Sequence, residues 1–276
     1  MRLSKSEIET IARAFVEARC EARILDAFPL RLPETLEDAI AVQEQALALT
    51  GETVAGWKVA MIAPHLRDGL GHQRLAGPID RRRVHRLPAG GAVEVEVFDG
   101  GRAVLEAEFV VVLGDDLLPG PDGFTPERVL AAVASINAGV EVASSPLPSL
   151  DDIGPLAVTS DRGNNSGVVV GPQIDGWRDR PLEDMMSRMF VDGVLAGEGS
   201  AARVPGGPLG ATLWLAGHLA TRGRTLRAGD VVSTGMTTGA HVVRPGMIGR
   251  IEFSGAAPCD LRVEAVAPGS MCGESA

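Results

Sequence analysis

Residues 103–113 read AVLEAEFVVVL, and this stretch decides the fold class because it is a strand pattern with an acidic pair inside it. Side chains alternate across a β-strand, so Glu106 and Glu108 share one face and the apolar residues beside them share the other. The valines that follow are typical of a buried strand. The sequence therefore predicts a long strand that carries two carboxylates on the same side.

Five other segments read as short strands in a part of the chain punctuated by Gly and Pro. They are VAGWKVAMI (54–62), AVEVEVF (92–98), SGVVVG (166–171), DVVSTG (230–235) and GRIEFSG (249–255). Residues 187–199 predict two further strands joined by a turn at Asp192-Gly193. The strands do not alternate regularly with helices, and no G-x-G-x-x-G lies between a strand and a helix. Both observations argue against a Rossmann fold. The pattern instead predicts an α+β protein with a mixed sheet.

Helical patterns lie at the start of the chain and at two later places. Apolar spacing predicts a helix over 4–22 and a second one that begins at Thr35 and stops at Gly51. We therefore expect a small N-terminal helical subdomain over 1–53 and a catalytic domain over 54–276. A third helix is predicted for ERVLAAVASIN (127–137) behind Thr125-Pro126, and a fourth for residues 208–223.

Composition and charge narrow the function classes. The 276 residues carry 26 Lys plus Arg against 36 Asp plus Glu, a formal net charge of −10, whereas a nucleic-acid binder needs a basic face. No apolar run approaches the ~20 residues of a membrane span, and the N-terminal segment lacks the apolar core of a signal peptide. Cys20, Cys259 and Cys272 fit no disulfide framework. The sequence predicts a cytoplasmic protein that binds neither nucleic acid nor membrane and keeps its cysteines reduced.

Two acidic pairs compete as metal ligands on spacing alone. Glu106 and Glu108 can converge on a hard divalent cation, which prefers oxygen ligands, or they can form the solvated face of a half-buried strand. Glu94 and Glu96 show the same alternation a dozen residues earlier, so spacing does not choose between the pairs. Glu141, between two valines, fits either a surface position or a ligand.

Lys58 is the candidate for proton transfer. It lies in GWKVAMI with apolar neighbours on both sides. A lysine in this setting either extends its ammonium group outward to solvent or sits in a cleft as a general acid–base group.

The order of the motifs resembles a known family. GWKVAMIAP, LEAEFVVVLGDDL, AGVEVASS and DRGNNSGVVVGP follow one another as in the 2-keto-4-pentenoate hydratase and 4-oxalocrotonate decarboxylase family. Residues 226–255 also resemble the signature of the wider fumarylacetoacetate hydrolase superfamily, in which a Gly-Asp turn leads into a strand that ends in Thr-Gly. The resemblance covers nearly the whole chain, and it implies a fumarylacetoacetate hydrolase-like mixed β-sheet roll with flanking helices.

The same resemblance assigns roles to single residues. The family's metal glutamates match Glu106, Glu108 and Glu141, which are therefore expected to hold Mg²⁺ or Mn²⁺. Its strand lysine matches Lys58, expected to be the catalytic residue beside the substrate. Substrate contacts are expected from Leu70, Asn165, Ser166 and Thr238.

The chain also departs from the family at groups that face the substrate. Characterised hydratases carry an Asp in a P-D-F-G segment, and here Leu75 and Ala76 stand in its place. Ser144-Ser145-Pro146 replaces the usual Asp-Ser-Arg, and Asp161-Arg162 replaces Asp-Asn. The metal ligands are thus expected to be intact, and Asp80 or a histidine would have to supply the missing acid.

The function expected from the resemblance is hydration of a small 2-hydroxydienoic or 2-keto acid by a metal-dependent lyase. The alternatives are vinylogous decarboxylation, tautomerisation or acylpyruvate hydrolysis at the same kind of site, and a non-catalytic relative that binds ligand without turnover. The resemblance also implies a homo-oligomer, and association with a decarboxylase partner is a further expectation.

Overall fold

The computed structural model describes residues 2–87 and 91–272, and it contains short helices interleaved with strands. The helices are α1 (Lys5–Glu21), α2 (Leu36–Thr50), α3 (Pro64–Leu70), α4 (Pro126–Ala132), α5 (Leu150–Ile153), α6 (Pro155–Ser160) and α7 (Gly207–Ala220). The strands are β1 (Val54–Met61), β2 (Arg74–Asp80), β3 (Val84–Arg86), β4 (Ala92–Val97), β5 (Arg102–Leu113), β6 (Val133–Ser145), β7 (Asn165–Gln173), β8 (Met186–Val191), β9 (Val194–Ser200), β10 (Val231–Val242), β11 (Ile248–Phe253) and β12 (Cys259–Ala265). Within the described residues, no helix is long and apolar enough to cross a membrane.

The strands form two sheets, and the predicted α+β class is confirmed. The larger sheet has the order β2-β1-β10-β5-β6-β7-β3, and the smaller one has the order β4-β12-β11-β8-β9. β1 runs parallel to β10, β3 to β7 and β4 to β12, while the other neighbours are antiparallel. Both sheets are therefore mixed, and strands distant in sequence become neighbours.

The main core lies between the two sheets and fixes which way β5 faces. Leu105, Ala107 and Phe109 are fully buried in it, and the Phe109 ring meets the Phe253 ring edge to face at 4.9 Å. Because successive side chains point to opposite faces, packing of this apolar row turns Glu106 and Glu108 to the other side of the large sheet. The core thus decides the orientation of the acidic pair.

The predicted helix over 127–137 is wrong in its second half. α4 ends at Ala132, and the segment from Val133 onward is the start of β6. Ile136 and Asn137 pair with Val111 and Val110 of β5, so the strand continues without a break to Ser145. The pairing with β5 outweighs the weak local helix preference of this Ala- and Ser-containing segment.

The predicted N-terminal helices are confirmed, with their caps. Ser4 and Glu7 form a reciprocal capping box at the start of α1, and Thr35 caps α2, which stops at Gly51 in the left-handed conformation. The two helices pack on a small core that also includes side chains of α5 and α6. Arg19 of α1 is buried, and its guanidinium donates two hydrogen bonds, of 2.7 and 2.9 Å, to Asp161 just after α6.

The cysteines contradict the expectation that all of them are reduced. Cys20, near the end of α1, and Cys272 are joined by a disulfide across a sequence separation of 252 residues, with a Cα–Cα distance of 5.3 Å. Only Cys259 is free among the described cysteines, and it is buried. Spacing could not show the pair because the chain's C-terminal segment returns to α1 only in three dimensions, where the Gly269 amide donates to the Cys20 carbonyl.

Candidate metal centre

Three glutamates converge on one face of the large sheet. Glu106 and Glu108 project from β5, and Glu141 lies directly opposite Glu106 on β6. One carboxylate oxygen of each lies within 4.8 Å of the others. All three residues are buried, with 8%, 1% and 0% exposure respectively. The rival pair is elsewhere: Glu94 is exposed on β4 and Glu96 pairs with Arg83.

The electrostatics of this cluster favour a cation. Burial, with the nearby Glu141 carboxylate next in effect, raises the pKa of Glu106 to about 7. Burial, with the charges of Glu141 and Glu106, raises the pKa of Glu108 well above its ordinary range. Desolvation and mutual repulsion both disfavour three ionised carboxylates, and a divalent cation between them would relieve both.

Two unsatisfied oxygens show that the residues fit a metal ion. Glu108 Oε1 and Glu141 Oε2 are buried, and the described residues give them no hydrogen-bond partner. A buried carboxylate oxygen without a partner is costly unless a proton or a cation occupies it. An all-carboxylate set suits a hard divalent ion rather than a soft one. The cluster therefore has the chemistry of a Mg²⁺- or Mn²⁺-type centre.

Glu108 is held in place by β10. The Ser233 hydroxyl donates to Glu108 Oε2 at 2.5 Å, and the Gly235 amide donates to the same oxygen at 2.9 Å. Gly235 has a φ of +119°, a conformation that side-chain-bearing residues rarely adopt, and the β10–β5 register shifts between Ser233 and Met236. This irregularity in β10 turns an amide towards the centre, leaving Oε1 for a ligand.

Lys58 approaches the centre from the neighbouring strand β1. It is 2% exposed, and its Nζ lies 3.2 Å from Glu141 Oε1 and 3.4 Å from Asn164 Oδ1. The ammonium group of Lys58 is therefore not extended to solvent but lies inside the protein, beside the glutamates. Gly163 packs against the lysine stem, because a Cβ there would lie 3.1 Å from Lys58 Cδ.

The expected substrate contacts are only partly gathered at the centre. Asn165 Nδ2 donates to Glu141 Oε1 at 3.2 Å, so Asn165 is part of it. Ser166 instead accepts from Arg19 and donates to the Ser144 carbonyl. Thr238 lies farther along β10 and pairs with His241 at 3.0 Å. Leu70 ends α3 and is half-buried, and its substrate contact stays a prediction.

The position of the missing family acid is apolar. Leu75 and Ala76 are buried in β2, and the Ala76 carbonyl accepts a hydrogen bond from Gln43. Asp80, the suggested substitute, caps the 3₁₀ turn Arg81–Arg83 and forms an ion pair with Arg82. Asp80 is thus already engaged by a neighbouring arginine.

Sequence patterns missed two polar residues at the centre. Ser233 lies in the 226–255 signature but was assigned no role, and the antiparallel pairing of β10 with β5 brings it beside Glu108. Arg102 begins β5, and its Nη2 lies 3.7 Å from Glu106 Oε1. The spacing of four residues from Glu106 was a usable signal, since both side chains fall on the same face of a strand.

Known proteins resemble this chain in sequence and in fold. Residues 80–264 match the fumarylacetoacetate (FAA) hydrolase C-terminal family. The chain is 30% identical over 246 residues to the 2-hydroxyhexa-2,4-dienoate hydratase of Comamonas testosteroni, covering 84% of this chain and 88% of that protein. It is 27% identical over 234 residues to the 2-keto-4-pentenoate hydratase of Paraburkholderia phymatum, covering 83% and 87%. The 4-oxalocrotonate decarboxylase of Pseudomonas putida G7, solved with magnesium and adipate, shares the fold with a TM-score of 0.76 at 23% identity, covering 95% of this chain and 100% of that one.

Proposed function

Because the chain belongs to the fumarylacetoacetate hydrolase family, we propose that it is a divalent-metal-dependent hydro-lyase. It adds water to a small 2-hydroxyalka-2,4-dienoate, or to the 2-keto tautomer, and gives a 4-hydroxy-2-keto acid. The observation that carries the proposal is the buried triad of Glu106, Glu108 and Glu141 with the Lys58 ammonium 3.2 Å from Glu141. Similarity to two hydratases across more than four-fifths of the chain supports hydration.

The triad is the proposed site for Mg²⁺ or Mn²⁺. A cation held by these three glutamates would supply Lewis-acid chemistry, stabilising the negative charge that develops on the substrate during the proton shifts. Ser233 and the Gly235 amide hold Glu108 in one orientation, and Asn165 does the same for Glu141. Such supporting hydrogen bonds keep ligands aimed and tune metal affinity.

Lys58 is the proposed proton carrier. Hydration requires that a proton leave the 2-hydroxyl and one arrive at C5, which moves the double bond to C3–C4. Water then adds across that double bond: its oxygen bonds to C4, it loses one proton, and a proton arrives at C3. The net change is the addition of one water. A buried ammonium beside Glu141 can deliver and recover these protons, because Glu141 and Asn164 fix its position. The lysine itself is only 2% exposed.

The test follows the loss of dienoate absorbance when the protein is mixed with 2-hydroxypenta-2,4-dienoate, with and without Mg²⁺ or Mn²⁺. Wild type should consume the dienoate only with metal, and Glu108→Ala should neither bind metal nor turn over. Glu94→Ala is the matched control, because it removes a glutamate of the same alternating pattern from an exposed position. Turnover that survives in Glu108→Ala would contradict the proposal.

Product analysis separates hydration from the other reactions. Hydration gives the 4-hydroxy-2-keto acid, decarboxylation of a 2-keto-enedioate releases CO₂, and tautomerisation stops at the 2-keto-3-enoate. Hydrolysis of an acylpyruvate gives pyruvate. Metal and ligand binding without any of these products would identify a non-catalytic relative. The cytoplasmic location and the homo-oligomer stay predictions, and sedimentation showing a monomer would contradict the second.

A further inference from the structure

Arg102 stands at the metal centre with part of its guanidinium uncommitted. Its Nη1 donates to the Ala143 carbonyl at 2.8 Å, and its Nε lies 2.7 Å from both oxygens of Asp151. Its Nη2 lies 3.7 Å from Glu106 Oε1, which is within ion-pair range but too long for a hydrogen bond. The side chain is only 9% exposed. A largely buried guanidinium thus directs one donor group at the acidic centre.

The other cations around the centre are held more tightly. Lys58 is fixed between Glu141 and Asn164, and Arg19 makes two hydrogen bonds to the buried Asp161. By contrast, the Asp151 side chain that pairs with Arg102 is 59% exposed and belongs to a helix of four residues. Because the Asp151 carboxylate is largely solvated, water and salt weaken its attraction for Arg102. Asp151 is therefore the counter-ion that is easiest to displace.

The local charges also leave room for an anion. Three glutamates carry three negative charges, and Lys58 and Arg102 carry two positive ones. A divalent cation makes this set positive by one charge, which Asp151 offsets from a solvent-exposed position. A carboxylate of the substrate can replace Asp151 as the negative charge that balances this positive one, so the centre stays neutral.

We propose that Arg102 binds a carboxylate of the substrate and that Asp151 occupies the guanidinium until the substrate displaces it. This deepens the proposed function and rests on it, since the substrate class is a small 2-keto or 2-hydroxydienoic acid. The planar guanidinium favours bidentate contact with a carboxylate, and its fixation through Ala143 reduces the entropy lost on binding. The carboxylate is either the one beside the keto group or a second one at the far end of the substrate.

Two saturated acids that cannot be hydrated serve as probes: 2-oxopentanoate, with one carboxylate, and 2-oxoadipate, with two. Calorimetric titration of the Mg²⁺-loaded protein gives their dissociation constants for wild type, Arg102→Gln, Arg102→Lys, Asp151→Asn and the control Arg188→Gln. Arg188 suits as a control because it is an exposed arginine paired with Glu198 in the other sheet. Metal affinity of each variant is measured separately, so that loss of metal is not mistaken for loss of the acid.

Arg102→Gln should weaken binding roughly 10- to 100-fold, as expected for loss of a charged hydrogen bond. The dissociation constants of Arg102→Lys should lie between those of Arg102→Gln and wild type. Asp151→Asn should bind roughly 2- to 5-fold tighter, because its competing carboxylate is gone. Weakening for both acids assigns Arg102 to the carboxylate beside the keto group, and weakening for 2-oxoadipate alone assigns it to the distal one.

Unchanged binding of both acids in Arg102→Gln would overturn the proposal, as would Asp151→Asn that binds no tighter than wild type. The latter holds even if Arg102→Gln fails to fold. The proposed function fails separately: Arg102-dependent binding of the saturated acids without turnover of any dienoate would leave this inference standing and refute the hydratase. Turnover of a dienoate, with binding of the saturated acids that does not depend on Arg102, would refute this inference and leave the proposed hydratase standing.

Discussion

Replacing Glu106 with Gln should change how the stability of the metal-free protein depends on pH. The folded state raises the pKa of Glu106 from 4.5 to about 7, chiefly because the side chain is buried and secondly because Glu141 is near. A carboxyl whose pKa is raised on folding binds its proton more tightly when folded, so stability is lost as pH rises from 4.5 towards 7. The ionised folded state is disfavoured by ~3 kcal/mol in that window.

The measurement is urea unfolding in the presence of a chelator at pH 5, 6, 7 and 8. The quantity compared is the free energy of unfolding of wild type minus that of Glu106→Gln, which should fall by ~2–3 kcal/mol between pH 5 and pH 8. The difference is needed because other groups titrate as well. Burial lowers the pKa of His218 to about 4, which makes stability rise with pH over part of the same range. That contribution is common to both proteins and cancels.

Saturating Mg²⁺ should remove the pH dependence of this difference at pH 7 and above, because the cation holds the carboxylate ionised. Glu94→Gln, at an exposed position of β4, is the matched control for a Glu-to-Gln change outside the cluster. A wild type minus Glu106→Gln difference that does not vary with pH would refute the reasoning. It would mean that Glu106 is neither desolvated nor repelled by Glu141 in the folded chain.

The remaining predictions concern single contacts. Lys58→Ala should reduce turnover roughly 10²- to 10⁴-fold while Mn²⁺ affinity, measured by electron paramagnetic resonance, changes far less; equal losses would contradict its role as proton carrier. Ser233→Ala should weaken metal binding roughly 10-fold in the same assay, because Glu108 loses a hydrogen bond that orients it, and unchanged affinity would refute that role. Cys272→Ser should lower the melting temperature by roughly 5–10 °C under oxidising conditions, because the bond to Cys20 closes a very long loop. With dithiothreitol present the two proteins should melt alike, and a gap that persists would point to packing rather than the disulfide.

Local signals predicted eight of the twelve strands within the described residues, β1, β4, β5 and β7–β11, and the helices α1, α2 and α7. They did not predict β2, β3, β12 or the short helices α3, α5 and α6. Ser4 and Thr35 cap the N-terminal helices, and the Asp192-Gly193 turn joins β8 and β9, as residue types alone suggested. Local signals gave the wrong prediction from Val133 onward, where the helical sequence pattern continues but the chain pairs with β5 as a strand. A segment with weak preference either way is decided by its partner, which the sequence does not display.

The candidate site needed contacts that no spacing contains. Alternation puts Glu106 and Glu108 on one face, but it does the same for Glu94 and Glu96. The resemblance favoured Glu106 and Glu108, and the structure gives the two pairs different surroundings. β5 lies inside the large sheet between β10 and β6, so its acidic face meets Glu141, while β4 is the edge strand of the smaller sheet.

The Arg19–Asp161 ion pair and the disulfide could not be predicted for a related reason. Both join residues that are far apart in the sequence. Arg19 is 142 residues from Asp161 along the sequence, and its position in an amphipathic helix predicts only that it lies on or near the buried face. An arginine is rarely fully buried unless it is paired, and here Asp161 pairs with it. The partner that makes its burial tolerable becomes visible only in the folded chain.

The metal should contribute to stability without being required for folding. The apolar face of β5 packs against the smaller sheet through Leu105, Ala107 and Phe109, and none of these contacts involves the glutamates. A cation that binds only the folded chain adds ~2.7 kcal/mol when its concentration is one hundred times its dissociation constant. Removing the cation withdraws that increment and restores the repulsion within the triad, yet leaves the core in place. Chelation should therefore lower the melting temperature by only a few degrees, and Glu108→Ala in chelator should melt no lower than wild type, because it carries one fewer buried carboxylate.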